Sequence, residues 1–321
     1  MEKKRFALLT SGGDSPGMNA AIRAAVRKCI SMGIEIYGIN HGYRGIFEKD
    51  LRPMSRYSVA DIIQRGGTIL YSDRCDRMMD SDGPAEAAQI LSEYEIDSLI
   101  VIGGDGTYKG AEALAKCGVK VMGIPGTIDN DIACTDSTIG FDTAVNTALD
   151  AISRIRDTTN SHNRINIVQV MGRACGNIAL YSGLAGGAEA ICVPEIPYDP
   201  DEIAQRVITG KNKGKLHCII VFAEGAGDIN ALCKALEEKT SIETRQTVLG
   251  YTQRGGSPTA FDRILASTMG AMSVTLLSQG EANKAICLKN NKYISTDITQ
   301  AVKMQRVFDK SIYELAMVLS I

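Results

Sequence analysis

The run Leu99-Ile100-Val101-Ile102, followed at once by Gly103-Gly104-Asp105-Gly106-Thr107, constrains this chain more than any other feature. Four consecutive large aliphatic residues do not alternate, so a strand built from them is covered on both faces. Such strands belong to parallel sheets flanked by helices, whose ligands bind beyond the carboxyl ends of the strands. Short β-branched or apolar runs recur at 6–10, 34–39, 98–102, 119–124, 165–171, 190–194 and 218–223. Helical patterns lie between them at 19–31, 86–93, 110–116, 143–156, 201–209, 230–238 and 261–277. The expected fold is α/β with mainly parallel sheets, two of them.

At about 150 residues per domain, the 321 residues make roughly two domains. No Pro- or Ser-rich linker separates them. The boundary is expected near residue 138, after a glycine- and aspartate-rich region, and a chain without a linker should cross between lobes more than once. There is no internal repeat or low-complexity segment. Glycine stands at 32 residues, about one in ten against a usual ~7%. That excess points to turns and to close approach of the backbone to something else.

Charge and cysteine content exclude several classes. With 35 basic and 37 acidic residues the net charge is −2, too small to draw the chain onto nucleic acid or an anionic membrane. No apolar run approaches the ~18 residues of a membrane span, and the start is too short for a signal-peptide core. Nine cysteines without a C-x-x-C pair suggest neither a zinc site nor a disulfide framework, which fits a reducing cytoplasm. His41, His162 and His217 are too few and isolated to bind metal, so acid–base chemistry falls mainly to carboxylates.

Four segments carry candidate chemistry. In 10–19, Gly12 and Gly13 let the backbone approach a phosphate before a helix start with free N–H donors. In 102–107, Asp105 stands among glycines; a carboxylate beside phosphates ordinarily requires a cation, and Mg²⁺ held by one or two carboxylates plus phosphates is the usual solution. A plain helix N-cap would explain that aspartate but not its glycine neighbours. The segment 125–131 holds Asp129 and Asp131, which point to one side if the backbone is extended and otherwise make an Asx-rich turn. The fourth set is arginines in glycine-rich surroundings, Met171-Gly172-Arg173, Glu243-Thr244-Arg245 and Gln253-Arg254-Gly255-Gly256, whose planar forks suit phosphate. The dinucleotide fingerprint and the Walker phosphate loop are both absent.

The ordered set Ser11-Gly12-Gly13-Asp14-x-Pro16-Gly17-Met18-Asn19, Gly103-Gly104-Asp105-Gly106, 125–131, Met171-Gly172-Arg173 and Gln253-Arg254-Gly255-Gly256-Ser257-Pro258 resembles the bacterial ATP-dependent 6-phosphofructokinases, phosphofructokinase family A. The likeness runs from residue 5 to the C-terminus. It implies two Rossmann-like lobes, an ATP lobe at 1–138 plus 252–305 and a sugar-phosphate lobe at 139–251 plus 306–321. It also implies a homotetramer with shared active sites.

By this resemblance ATP contacts Gly13, Tyr43, Arg74, Cys75, Gly104, Asp105, Gly106 and Thr107, with Asp105 on Mg²⁺. Fructose 6-phosphate contacts Thr127, Asp129, Asp131, Met171, Gly172, Arg173, Glu224, Tyr251 and Arg254, with Arg164 and Arg245 supplied by a neighbouring subunit. Asp129 is the implied base, and Arg173, Arg74 and Thr127 assist the moving phosphoryl group. An effector site for ADP or phosphoenolpyruvate draws on Arg23, Arg27, Arg56, Asp61, Arg156, Gly187, Glu189, Lys213, Lys215 and His217.

Three departures from the family pattern stand out. Tyr251 takes a place where histidine is usual, Leu216 one where lysine is common, and 76–83 is unlike the usual sequence. Three rivals frame the reading. Pyrophosphate-dependent phosphofructokinases tend to carry aspartate for Gly106 and lysine for Gly126, whereas both are glycine here. Lipid and NAD kinases share G-G-D-G-T but would not explain 125–131 or the Arg254 loop. A catalytically silent nucleotide-binding subunit sits poorly with Asp105, Asp129 and Arg173 together.

Overall fold

The structure is a computed structural model that describes residues 4–215 and 217–320. Leu216, one of the departures above, lies outside the described residues. The chain runs β1 (Arg5–Ser11), α1 (Met18–Ser31), β2 (Glu35–Ile39), α2 (Arg44–Phe47), β3 (Leu51–Pro53), α3 (Gly83–Glu93), β4 (Ser98–Gly103), α4 (Asp105–Lys116) and β5 (Lys120–Pro125). It continues through α5 (Phe141–His162), β6 (Ile165–Val170), α6 (Asn177–Ala185), β7 (Ala190–Cys192), α7 (Pro200–Asn212), β8 (Cys218–Ala223), α8 (Ile229–Thr240) and β9 (Thr244–Val248). The remainder is α9 (Ala260–Ser278), β10 (Lys284–Lys289), β11 (Lys292–Asp297), α10 (Ile298–Lys303) and α11 (Lys310–Leu319).

Two compact units share the chain. The first holds residues up to Thr127, Asp131–Asp142 and Arg254–Arg306, and the second holds Ile128–Asn130, Thr143–Gln253 and the residues from Val307 onward. Among the described residues the first unit has a seven-stranded sheet in the order β11-β10-β5-β4-β1-β2-β3. Its pairs are parallel except β2–β3 and β10–β11. Successive residues of β1 enter opposite cores. Phe6 and Leu8 join α1 and α9 on one face, while Ala7 and Leu9 join α3, α4 and α10 on the other. That double burial explains the unbroken apolar runs.

The second unit's sheet is parallel throughout, in the order β7-β8-β6-β9. Ile165, Ile167, Ile220 and Phe222 pack there against Ile203, Leu232 and Leu236 of α7 and α8.

Each sheet contains a topological switch point, where adjacent strands send their connections in opposite directions. In the first unit β1 leads to β2 on one side and its neighbour β4 leads to β5 on the other. In the second, β6 leads toward β7 while its neighbour β8 leads to β9.

Several expectations shift. The helix expected from 110 begins at Asp105, so Gly-Asp-Gly-Thr is its first turn and not a preceding loop. Asn130 holds φ +51°, which breaks the extended geometry that would alternate Asp129 and Asp131 onto one side. The short β3, the strands β9, β10 and β11, and helices α2, α6, α10 and α11 are not among the expected elements.

Candidate active site

At the first switch point Ser11 lies opposite Gly103 across the β1–β4 ladder, which sets the two glycine loops side by side. Gly103 is required by packing, because a Cβ there would fall within 3.0 Å of Thr107 and of the Ser11 carbonyl oxygen. Thr107 Oγ1 donates to that same carbonyl at 3.0 Å and closes the joint between strand and helix. Gly106 differs: a Cβ on it would meet nothing within 4 Å. Alanine is preferred to glycine in helices by roughly 1 kcal/mol, and among the described residues no contact from outside its own turn opposes it here. The chain keeps open space beside the first turn of α4.

Asp105 is the first helical residue, capped by Gly104, and its half-exposed carboxylate lies 2.6 Å from Lys109 Nζ. A Cβ on Gly104 would touch Thr127 Cβ at 3.7 Å, so Thr127 borders this loop. A Cβ on Gly13 would lie 3.2 Å from the Arg254 guanidinium, which brings the first and fourth sequence motifs together. Arg74 is exposed and Cys75 half-buried on the segment after Asp73, whose carbonyl accepts from Gly12 N at 3.5 Å. Tyr43 is only 3% exposed, and its hydroxyl donates to the Thr107 carbonyl at 2.6 Å. Burial raises that hydroxyl's pKa well above its usual value, so it stays a neutral donor to the start of α4.

At the second switch point Glu224 follows β8, and its Oε1 accepts from Gly172 N at 3.2 Å and Arg173 N at 2.8 Å. These bonds hold a turn with φ +138° at Gly172 and +53° at Arg173. Met171 N donates to the buried Gln253 Oε1 at 3.2 Å. Arg173 Nε stands 3.8 Å from Asp129 Oδ2; the arginine side chain is 57% exposed and Asp129 is buried. The Asp129–Asn130 backbone is in turn held by Asn177 at the start of α6, whose Nδ2 donates to the Asn130 carbonyl at 3.0 Å. Asn177 is not among the site residues expected from the sequence. Its only signal was a polar residue opening an otherwise apolar helix.

Arg164 and Arg245 converge on one carboxylate. Arg164 Nε lies 2.5 Å from Glu243 Oε2, and Arg245 Nε donates to Oε1 at 2.7 Å. Hydrogen bonding from Arg245 foremost, and from Arg164, holds the Glu243 carboxyl below the usual range. Tyr251 is 79% exposed on a short 3₁₀ turn. Asp131, in the first unit, is half-buried.

Part of the expected effector set is assembled in the second unit. Lys215 Nζ lies 2.7 Å from Glu189 Oε1, and Glu189 Oε2 accepts from Ile219 N at 2.5 Å. Arg156 donates to the Gly187 carbonyl at 3.1 Å, and His217 Nδ1 is 3.4 Å from Asn160 Oδ1. A cavity of about 960 Å³ is bordered by Glu189, Lys213, Lys215 and His217, with Arg164 and Arg206 at its wall. Arg23, Arg27, Arg56 and Asp61 belong to the first unit, where Asp61 is exposed with φ +51°.

Among the described residues, no cluster of three or more His, Cys, Asp or Glu is poised to hold a metal. None of the described helices is long and apolar enough to cross a membrane.

Comparison with known proteins gives a consistent answer. Residues 5–277 match the family described as Phosphofructokinase. The chain is 55% identical over 318 residues to a protein of Clostridioides difficile named ATP-dependent 6-phosphofructokinase, covering 99% of this chain and all of that one. It is equally identical, over the same span, to one of the same name from Alkaliphilus metalliredigens. The phosphofructokinase structure from Saccharomyces cerevisiae superposes with a TM-score of 0.88 at 34% identity, covering 99% of this chain, which spans about half of the yeast one (48%). Two switch points carrying the glycine, aspartate and arginine motifs, together with these likenesses, establish that the chain belongs to the phosphofructokinase family.

Proposed function

We propose that the chain is an ATP-dependent 6-phosphofructokinase, transferring the γ-phosphoryl group of ATP to the 1-hydroxyl of fructose 6-phosphate. The observation that carries the nucleotide half of this reading is Gly106. Among the described residues no neighbour of Gly106 outside its own turn demands glycine, which supports a ligand approaching the first turn of α4. The N–H groups of that turn and the helix dipole favour anionic phosphate. The first unit is the ATP unit, with Gly13, Arg74, Cys75 and 104–107 around the nucleotide. Tyr43 supports them from behind through Thr107.

The second unit takes the sugar phosphate. Asp129 accepts the proton of the attacking hydroxyl, and the Asp129–Arg173 pair places a cation beside the developing charge. Glu224 orients that arginine's backbone, and Thr127 aids the transfer. Met171, Gly172 and Tyr251 add sugar contacts from this unit; Asp131 and Arg254, residues of the first unit, are the other expected contacts, with Arg164 and Arg245 acting from a neighbouring copy in a homotetramer. Phosphoryl transfer needs little more than such positioning and charge balance.

Asp105 fits the Mg²⁺ expectation. It is a half-exposed carboxylate in the first helical turn, paired with the surface residue Lys109, and one or two carboxylates plus phosphate oxygens are how this ion is commonly bound. When bound, the ion supplies charge neutralisation of the phosphates. ADP or phosphoenolpyruvate would bind the cationic set beside the cavity in the second unit. The nine free cysteines suit a cytoplasmic enzyme.

The pyrophosphate reading asks for larger residues at 106 and 126. A Cβ at Gly126 would already lie 3.1 Å from Ile102 Cγ2 and 3.2 Å from Met18 Cε, so a lysine there would disturb the core. A coupled assay of fructose 1,6-bisphosphate formation decides: turnover with ATP and not with pyrophosphate is expected. The reverse preference, or silence with both, would overturn the assignment.

A further inference from the structure

A side-chain cluster in the first unit is unused by the mechanism above. Asp73 immediately precedes Arg74 and Cys75, and its Oδ2 lies 2.7 Å from Arg44 Nη1 and 3.7 Å from His41 Nδ1. Arg44 Nε also stands 3.2 Å from Glu48 Oε1. The His41 ring stacks on Tyr71, with centroids 4.9 Å apart and planes 11° from parallel. Both stacked residues hold left-handed backbone, φ +59° at His41 and +57° at Tyr71. A bulky residue seldom adopts that conformation, and it persists only where its surroundings over-determine it, as at working sites.

The surroundings here are specific. His41 N donates to the Leu70 carbonyl at 2.8 Å, Thr10 Oγ1 to the Tyr71 carbonyl at 2.6 Å, and Ser72 Oγ to the Gly12 carbonyl at 2.5 Å. Residues 70–73 are thereby tied to the glycine loop after β1 through backbone acceptors. They are tied to the turn after β2 through the ring stack and the ion pair.

We propose that His41, Arg44, Tyr71 and Asp73 are positioning residues for the phosphoryl donor. They hold the segment bearing Arg74 and Cys75 against the glycine loop, so that Arg74 meets the donor phosphates already ordered. The inference rests on the ATP reading above. A half-exposed ion pair adds little to global stability. The effect of this cluster therefore falls on donor binding.

Two variants test it by steady-state kinetics on the full chain with Mg·ATP. Asp73→Asn removes the charge and keeps the shape. Tyr71→Gly removes the ring while relieving the backbone. Each should raise the KM for ATP roughly three- to fivefold, the scale of one half-exposed ion pair or one ring stack. The KM for fructose 6-phosphate should hold within about twofold on that scale, and Tyr71→Phe, which keeps the ring, should restore the ATP value. An unmoved ATP KM in both variants, or both KM values rising together, overturns the inference. Parent protein inactive with ATP would instead defeat the functional reading itself, so the two failures are distinguishable.

Discussion

Replacing Gly106 by alanine adds one methyl group at the second residue of α4, where, beyond its own helical turn, no atom of the described residues lies within 4 Å of it. On helix preference alone the change should stabilise the fold by about 0.5–1 kcal/mol. For a chain of this length that corresponds to a rise of about 1–2 °C in Tm. If ATP phosphates pack against this turn, the same methyl group occupies their space. Overpacking a close contact typically costs about 1–3 kcal/mol, which at 1.4 kcal/mol per decade is roughly a five- to hundredfold loss in kcat/KM for ATP.

Gly103→Ala is the contrasting control. Its Cβ would collide with Thr107 and the Ser11 carbonyl oxygen, so the fold itself should lose about 1–3 kcal/mol and several degrees of Tm. Thermal melts and ATP titrations of both variants separate the two cases. A Gly106→Ala protein that is more stable yet poor with ATP supports a ligand at that turn. One with ATP kinetics within about twofold of the parent, far below the overpacking cost, would refute the reasoning.

Asp129→Ser should lower kcat by about 10²–10⁴, the usual contribution of a positioned base, while sugar binding measured by calorimetry survives. Mixing inactive Asp129→Ser chains with inactive Arg164→Ala chains should restore some activity through hybrid sites; no recovery despite demonstrated subunit exchange would rule out a shared site. Tyr251→His should lower the KM for fructose 6-phosphate several-fold, because a charged donor exceeds a neutral one by about 1 kcal/mol, and should leave the KM for ATP unchanged. An equal or higher sugar KM would show that the exposed tyrosine is no handicap.

The sheets were legible because double burial writes itself as uninterrupted aliphatic runs, as at Leu99–Ile102 and Cys218–Ala223. Elements without that signature were not. The helix α6 is buried nearly all round, so its apolar residues show no face and no helical period. Strand β9 has mostly exposed residues, and β11 is an edge strand with a mixed surface. The late start assigned to α4 has a different cause. Glycine and aspartate are turn formers by propensity, and here they build the first turn of a helix, capped by Gly104 without a side-chain hydrogen bond.

The site divides along the same line between local and distant information. Gly13, Asp105, Asp129 and Arg173 announce themselves within a few residues of chain. The groups that hold them do not, because their partners are separated in sequence: Glu224 is 51 residues from Arg173, and Asn177 is 47 from Asn130. Strand order is equally non-local, and only the order β5-β4-β1-β2 places the two glycine loops at one switch point. Glu243 shows the consequence. Read beside Arg245 it looks like a surface charge, yet it binds Arg164 and Arg245 together in this chain. Any sugar phosphate that recruits these two arginines must compete with that carboxylate. Their affinity for phosphate is therefore lowered by whatever it takes to displace Glu243 from the guanidinium groups.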